Sequence, residues 1–573
     1  MRFMTFLKRT STLRKGAVRE ISRSATILGM ASLALWGCGT PHPSGSAFPP
    51  PRIESECGRT NGKIVSPSST PGTPESESSG RSHVVLSATG EFVEFELTGP
   101  ANALVIRYGL PDAPQGGGVN ATISLLVNGG FLRKIPLTSA LSRVYGDYPW
   151  TNDPASHNAR NFFDEVQVRV EGLGRGDVLR LEKQADDNAG HYRIDFIEAE
   201  VVPPPRERPR NSLSLEDFGG IPDDDLDDSP AFLACLSAAT ASNRAMWVPP
   251  GEFRLDGGRI RIGGVVVMGA GMWHSKLTGL RPMFEGNGKP LRISDLSIFG
   301  NVDRRNNAAP DNAFNGNFGE GTALKNLWIE HVKCGVWTLR GTRNMRIENC
   351  RIRNTMADGV NFCDGTEYSS VQNCHIRNTG DDALATWSPS GDWSSRKPCI
   401  GNRFLNNRVQ FPWLANGIGI YGGKDHAAIG NTVQGTVLSG GGLLISSGHG
   451  AIPFSGTIRA TGNTFNETGG DCYIGERVGA IWIHAAESDI DVPVIIDRTK
   501  ILDALDAGIT THGPRRIADL RLVNTKVHRA NGPAILLGPG SSGAVLVSGL
   551  TADGTRQPLI QKASNEFKIR VSR

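Results

Sequence analysis

The stretch Asn373–Thr386, NCHIRNTGDDALAT, decides the fold, because it repeats 24 residues earlier as Asn349–Phe362, NCRIRNTMADGVNF. Asn373 falls on Asn349, Cys374 on Cys350, and Arg377-Asn378-Thr379 on Arg353-Asn354-Thr355. A short period of this kind marks stacked turns of chain, each burying its apolar face only against its neighbours. In this alignment Asp382 falls on Asp358, and Asp381 sits beside it. Stacked parallel strands lie about 4.8 Å apart, so the repeat draws three carboxylates together. Like charges set opposite one another are destabilising, and their proximity raises at least one pKa. Three aspartates at one edge therefore need a cation to neutralise them or a reaction to perform.

Outward from this stretch, the short apolar strands can be counted. Gly335-Val336-Trp337, Gly359-Val360-Asn361-Phe362 and Ala383-Leu384-Ala385-Thr386 follow one another at 24 residues. Gly417-Ile418-Gly419-Ile420, Gly442-Leu443-Leu444-Ile445, Ala480-Ile481-Trp482-Ile483, Gly508-Ile509-Thr510 and Ala534-Ile535-Leu536-Leu537 continue the series more widely spaced. Inserted loops account for the widening, chiefly Trp387–Ile400. At least eight coils result, enough for a continuous core, and Cys334 joins the column of Asp358 and Asp382. Upstream, Glu216-Asp217-Phe218-Gly219-Gly220, Asp223-Asp224-Asp225, a helical patch Ser229–Ala241 and Met246–Phe253 resemble the N-terminal cap of pectate-lyase-like right-handed β-helices. Such a cap is required physically, since the end of a stack exposes strand edges and apolar core. The fold class is thus all-β, with a right-handed parallel β-helix over residues 212–573.

A chain of 573 residues is too long for one core, and 70 glycines with 7% aromatics favour β-rich architecture. The net charge of +4 is misleading. Residues 1–37 carry seven basic groups against Glu20, a local +6, which leaves about −2 for the remainder. That balance argues against a nucleic-acid partner, which needs a concentrated basic face. Residues 1–37 read as an export signal, with the apolar run Ala25–Trp36 too short for a comfortable membrane span. Leu35-Trp36-Gly37-Cys38 resembles a bacterial lipobox, which implies cleavage before Cys38 and lipid attachment to its sulfur; the alternative is an ordinary signal peptide. The expected location is the cell envelope, as an outer-membrane lipoprotein held through its lipid anchor, or outside the cell. Residues 38–52 form a flexible Pro/Ser/Gly linker.

Residues 53–202 show short alternating strands between Gly, Pro, Asn and Asp turns, among them Phe92–Leu97, Ala103–Tyr108, Thr122–Val127, Glu165–Val170 and Tyr192–Ile197. This is the pattern of a β-sandwich. Ser79-Gly80-Arg81, Gly90-Glu91-Phe92-Val93, Arg107–Asp112 and Ile194-Asp195-Phe196 resemble the carbohydrate-binding modules of families 6 and 35. That resemblance implies sugar binding by loops bearing Tyr145, Tyr148 and Trp150; the alternative is that these rings pack in the core or against the second domain. Residues 203–211 are a proline-rich junction.

Asn354-Thr355-Met356-Ala357-Asp358-Gly359 and Gly380-Asp381-Asp382-Ala383-Leu384-Ala385, with Trp328-Ile329-Glu330-His331, Pro412–Gly417 and Ile420-Tyr421-Gly422-Gly423, resemble glycoside hydrolase family 87. These are the α-1,3-glucanases and mycodextranases. The resemblance implies endo-hydrolysis of an α-1,3-glucan or nigeran with inversion, and Asp358, Asp381 and Asp382 as catalytic residues. In an inverting pair one carboxylic acid protonates the leaving oxygen and a carboxylate activates water, the two standing about 6.5–9.5 Å apart. Asp358 and Asp382 can hold the water together with Asp381 as the acid, or Asp358 and Asp381 can exchange roles. Trp387, Trp393, Trp413 and Tyr421 flank the triad as sugar platforms or as loop packing. His331, beside Glu330, lies one coil before Asp358 and either lines the cleft or makes a structural hydrogen bond. Cys350 and Cys374 share a column, as a disulfide or as a thiol ladder. No zinc-type cluster occurs, and no cofactor is expected beyond a structural Ca²⁺. Three other readings remain. One is a polygalacturonase-like family 28 hydrolase, against which His449 of Ser447-Gly448-His449-Gly450 lies several coils too far along. Another is a Ca²⁺-dependent lyase using Arg353 or Arg377 as base. The last is a non-catalytic glycan-binding β-helix.

Overall fold

The computed structural model describes residues 51–573 apart from 149, 280–282, 392–395, 557, 564–565 and 573. The export signal, Cys38, most of the linker and Trp393 lie outside the described residues. The first domain is a sandwich of antiparallel sheets. One sheet places Ala101–Gly109, Asp164–Leu173 and Tyr192–Glu200 side by side; the other is built on Phe92–Glu96, Asn120–Val127, Gly130–Thr138 and Val178–Glu182. Between them lies an apolar core that includes Val84, Phe95, Leu104, Ile123, Leu125 and Ile194.

The second domain is a parallel β-helix. A capping helix, Ser229–Ser242, buries Phe232, Cys235, Leu236 and Ala239 over its first coil. A short sheet of twelve parallel strands forms one wall, and a long sheet of 24 strands forms the other two. The eight strands counted in the sequence all belong to the short sheet; Arg259–Ile262, Met283–Asn287, Phe314–Asn317 and Ile560–Lys562 complete it. The 24-residue register is the pairing observed: Ile352 opposes Ile376, Arg353 opposes Arg377, and Val360 opposes Leu384.

Each coil turns at two left-handed corners. Asn349 and Asn373 (φ 55° and 52°) make one; Asn354 and Asn378 (φ 50° and 58°) make the other. Asparagine tolerates this conformation better than other residues with a side chain, which explains why the repeat keeps it. Inside the coil a different column forms a hydrogen-bonded ladder. The Cys374 backbone N–H donates to Asn407 Oδ1 (3.0 Å), Asn407 Nδ2 to Asn431 Oδ1 (3.0 Å), and Asn431 Nδ2 to Asn463 Oδ1 (3.0 Å). Cys350 and Cys374 head this ladder as buried free thiols.

The two domains meet across a closely packed interface. Arg353 and Arg377, stacked on the outer face of the long sheet, point into the sandwich. Arg353 pairs with Glu165 (2.7 Å) and Glu198 (3.3 Å), and Arg377 with Glu165 (2.5 Å) and Glu198 (2.6 Å); all four side chains are wholly buried. Arg351 makes a bidentate pair with Glu200 at 2.7 Å. Apolar clusters flank these charges. Val144, Trp150 and Phe196 of the sandwich pack on Met356, Phe411 and Trp413; Ala103 and Val105 pack near Trp273 and Trp328. Breaking a buried charge group by removing one member strands the others without water or partner. Arg377→Met is therefore expected to lower the unfolding free energy by about 3–5 kcal/mol, read from the denaturant midpoint at constant slope.

Candidate active site

The triad sits in the turns that lead into the short sheet. Asp358 precedes the strand Val360–Cys363, and Asp381 and Asp382 precede Leu384–Trp387. The Gly335 N–H donates to Asp358 O (3.2 Å), Gly359 N–H to Asp382 O (3.1 Å), and Ala383 N–H to Asn416 O (3.0 Å), so one column reads Cys334, Asp358, Asp382, Asn416. One oxygen from each aspartate lies within 4.8 Å of the others.

Each carboxylate has its own surroundings. Asp382 is the most thoroughly held. Its Oδ1 accepts from the backbone N–H (3.0 Å) and the Nδ2 (2.8 Å) of Asn416, and its Oδ2 accepts from the Tyr421 hydroxyl (2.6 Å). Asn416 Oδ1 accepts from the Gly441 N–H (2.8 Å), which aims the amide nitrogen at the aspartate. Gly419 is required for this arrangement: a Cβ there would stand 2.3 Å from Asp382 Oδ2 and 2.6 Å from the Tyr421 ring. Burial, then the Asp381 charge, push the Asp382 carboxyl up to about 7 against these hydrogen bonds. Asp358 has poor partners, Asn361 Nδ2 at 3.4 Å and the Cys334 thiol at 3.9 Å. Burial, then the charges of Asp381 and Asp382, drive it well above the usual carboxylate range. Asp381 is the member turned outward, its side chain 34% exposed, and its Oδ2 accepts from Arg305 Nη2 at 2.7 Å.

Arg305 was not visible as a site residue in the sequence, since it lies far upstream of the repeat. Its Nη1 donates to the carbonyls of Met356 (2.7 Å) and Gly380 (2.9 Å), the segments that carry Asp358 and Asp381. The sandwich holds it from the other side. The indole of Trp150 lies 5.4 Å from its guanidinium, and Asn152 Nδ2 donates to the Arg305 carbonyl at 2.9 Å.

Of the described aromatic residues expected at the cleft, Trp387 is the one the structure leaves there. It is half-buried, donates from Nε1 to the His449 carbonyl (3.1 Å) and meets Trp337 edge-on at 6.3 Å. Trp413 is not a platform. It is fully buried behind Gly380, in the domain-interface cluster. Tyr421 is buried too, and its hydroxyl serves Asp382. His331 belongs to the interface: Nε2 bonds Asp164 of the sandwich at 2.8 Å. Burial opposes its charge, but Asp164 overrides burial and raises the imidazole to about 9. Tyr145 is buried with its hydroxyl donated to Asp112, and Trp150 is buried over Arg305. The exposed ring of that loop is Tyr148, 62% exposed. Arg353 and Arg377 are ion-paired and inaccessible, which removes them as bases for a lyase. His449 stands close to the triad despite its sequence distance. Its loop folds back through Ser390 N–H to Gly450 O (2.6 Å), and its ring meets Tyr421 at 5.4 Å and Tyr473 at 5.0 Å. Inserted loops had hidden this proximity. The oxygen cluster has the spacing of a divalent-cation site, but Arg305 already places a positive charge on Asp381.

A parallel β-helix with buried, unequal carboxylates at one edge has the form of a polysaccharide-processing enzyme, and the family comparisons make it a glycoside hydrolase. The chain belongs to the α-1,3-glucanase catalytic-domain family: the model for α-1,3-glucanase catalytic domain D1 matches residues 49–202, and that for domain D2 matches residues 234–537. The sandwich is thus counted with the catalytic unit. Among solved structures, the catalytic unit of a thermostable GH87 α-1,3-glucanase from Streptomyces thermodiastaticus is 30% identical, covering 92% of this chain and 96% of that one with a TM-score of 0.82. The catalytic domain of a GH87 α-1,3-glucanase in complex with nigerose is 26% identical over 92% of this chain and 99% of that one, TM-score 0.78. Further structures carry single aspartate-to-alanine substitutions with nigerose or tetrasaccharides bound. A mannuronan C5-epimerase and alginate lyase 7, both of Azotobacter vinelandii, are 31% and 32% identical over 21% of this chain; the matches span only 8% and 16% of those proteins.

An aspartate whose folded pKa is raised binds a proton that the unfolded chain has lost, so its contribution falls as pH rises. For Asp382 that window runs from its ordinary 3.8 to about 7. The stability of Asp382→Asn relative to the parent protein is therefore expected to increase steadily across this range, measured as the difference in Tm at successive pH values.

Proposed function

We propose that the protein is an endo-acting, inverting α-1,3-glucan hydrolase that uses Asp358, Asp381 and Asp382. The observation that carries this reading is the convergence of the three aspartates in a chain of this family. Their separations, 23 residues and then 1, equal those of the aspartates replaced by alanine in the oligosaccharide-bound relatives. The polymer lies along the short sheet, with Trp387 as a sugar-stacking surface beside the triad.

The roles follow from placement. A general acid must reach a glycosidic oxygen above the floor, and Asp381 is the exposed member, whereas Asp358 and Asp382 are buried in one column. The floor pair holds the water. The close spacing of these carboxylates, taken as a simple pair, is nearer to that of retaining enzymes than the about 6.5–9.5 Å of inverting ones. A third carboxylate changes that count, because two share the water while the third is the acid. Arg305 donates to Asp381, and the floor carboxyls are raised by burial and then by the neighbouring charges. As the general acid, Asp381 gives its proton to the departing glycosidic oxygen while the floor pair takes one from the attacking water. Arg305 offsets part of the triad's negative charge, and the proposed steps are carried by the carboxylates and water. Export and lipidation at Cys38 complete the proposal and rest on residues 25–38 of the sequence alone.

Incubation with α-1,3-glucan, nigeran, dextran and polygalacturonate is expected to release soluble reducing sugars from the first two, with the β-anomer formed first by NMR. Release of an ultraviolet-absorbing unsaturated sugar, or no product, would overturn hydrolysis; an initial α-anomer would overturn inversion. Asp→Asn at each position should cost about 10²–10⁴ in kcat. Azide should rescue D358N and D382N as the glycosyl azide and leave D381N inactive; rescue of D381N instead would reverse the roles. Tyr421→Phe removes a donor to ionised Asp382, so the acidic limb of the pH–rate profile should move to higher pH.

A further inference from the structure

The outer face of the long sheet, away from the triad, carries an ordered row of charge. Strand pairing fixes a single column: Arg292, Ala323, Arg346, Ser370, Arg403, Ala427, Arg459, Ile495 and Arg521 oppose one another in sequence along the stack. Arginine therefore occupies every second coil, a spacing of roughly 9.6 Å. Neighbouring positions such as Ile293, Ile347, Phe404 and Ile458 point inward to the core, so the arginines point outward; Arg292, Arg346, Arg403 and Arg459 are exposed and Arg521 is half-buried. Arg521 is paired with Asp519 at 2.5 Å. Among the described residues Arg292, Arg346, Arg403 and Arg459 have no ion-pair partner.

The alternating small residues shape the surface. Ser370 lies between Arg346 and Arg403, and there the surface sinks into a hollow of about 460 Å³ lined by Asn344, Arg346, Tyr368, Ser370, Arg403 and Leu405. Tyr368 forms one wall, 48% exposed, with the Arg343 guanidinium 4.7 Å from its ring centre. Gly401 permits this: a Cβ there would stand 2.7 Å from the tyrosine ring.

We infer that this row is a binding site for a linear acidic polysaccharide, separate from the glucan cleft. Free cations in a straight line at even intervals match an extended chain that presents carboxylates on one side at every second sugar. Double-stranded DNA carries a charge per about 1.7 Å of axis, far denser than this row, and the rest of the chain is slightly acidic. An anionic lipid surface is a two-dimensional field and calls for no single file. The hollow at Arg346 and Arg403 admits a sugar ring, with Tyr368 and Asn344 as polar wall groups. Such a site would hold a glucanase within an acidic matrix while its cleft works on a neutral polymer. The inference does not depend on the assignment of the catalytic aspartates.

Native affinity electrophoresis of the full chain tests it, with polygalacturonate in the gel and dextran as the neutral control. Polygalacturonate should retard the protein at about 50 mM salt and release it by about 300 mM, because exposed charges are screened. Arg346→Ser/Arg403→Ser should weaken retention at least about tenfold and flatten its salt dependence, with glucan hydrolysis and Tm unchanged. Arg292→Ser/Arg459→Ser should weaken it as well, since the row acts as a whole. No retardation of the parent protein, equal retention of the variants, or tighter binding of single-stranded DNA or anionic vesicles at the same salt would each overturn the proposal.

Discussion

Two arginines and two glutamates, sealed from water between the sandwich and the β-helix, hold this molecule in one arrangement. Arg353 and Arg377 come from successive coils, and Glu165 and Glu198 from the two strands that flank Ala101–Gly109 in the sandwich. Desolvating four charges gains little net stability even when they are well paired. What it does give is intolerance of any other docking, since a slip of one coil would set Glu330 or Gln410 where an arginine now meets the glutamates. The Arg-Asn-Thr of the repeat is therefore more than coil-building sequence: the arginines dock a neighbour, and the asparagines turn the corner and extend the same contact, with Asn378 Nδ2 donating to Asn161 Oδ1 at 2.9 Å.

That docking reaches the chemistry through Arg305. The guanidinium lies between Trp150 of the sandwich and Asp381 of the β-helix; its Nη1 donates to the carbonyls of the triad's own turns and its Nε to Asn307 Oδ1. The charge balance of the cleft is thus assembled from both domains. Three carboxylates within a few ångströms cannot all ionise in a buried setting, and the protein distributes the problem. Asp382 receives donors, Asp358 receives almost none, and Asp381 receives a cation. Unequal surroundings for chemically identical groups are how acid and base roles are separated.

Much of this was legible in the sequence, and the limits are informative. The 24-residue period predicted the coil register residue for residue, because repeated apolar spacing leaves one way to stack. The column Cys334, Asp358, Asp382 followed from it directly. Trp413, Tyr421 and His331 were legible as near the site and illegible in direction, since spacing along a chain does not say what stands behind a turn. Trp413 faces the sandwich, and His331 meets Asp164, a partner 167 residues away in the chain. Arg305 and His449 were missed for the opposite reason. Each reaches the triad from outside the repeat, one from an upstream loop and one from a loop folded back beside Trp387, and neither leaves a periodic trace.

The shared column also shows where the chain tolerates added length. Asp358 and Asp382 are 24 residues apart, whereas Asp382 and Asn416 are 34 apart, yet all three occupy equivalent places in successive coils. The extra residues leave after Trp387, at the far end of the short-sheet strand, and the next coil resumes in register at Leu384 opposite Ile418. The walls of the cleft and its floor therefore obey different rules. The floor is bound to the pitch of the coil and changes only with the whole stack, while the rim can lengthen, shorten or fold over without disturbing a single ladder hydrogen bond. A family built on this plan can vary what it grips while keeping the place where it cuts.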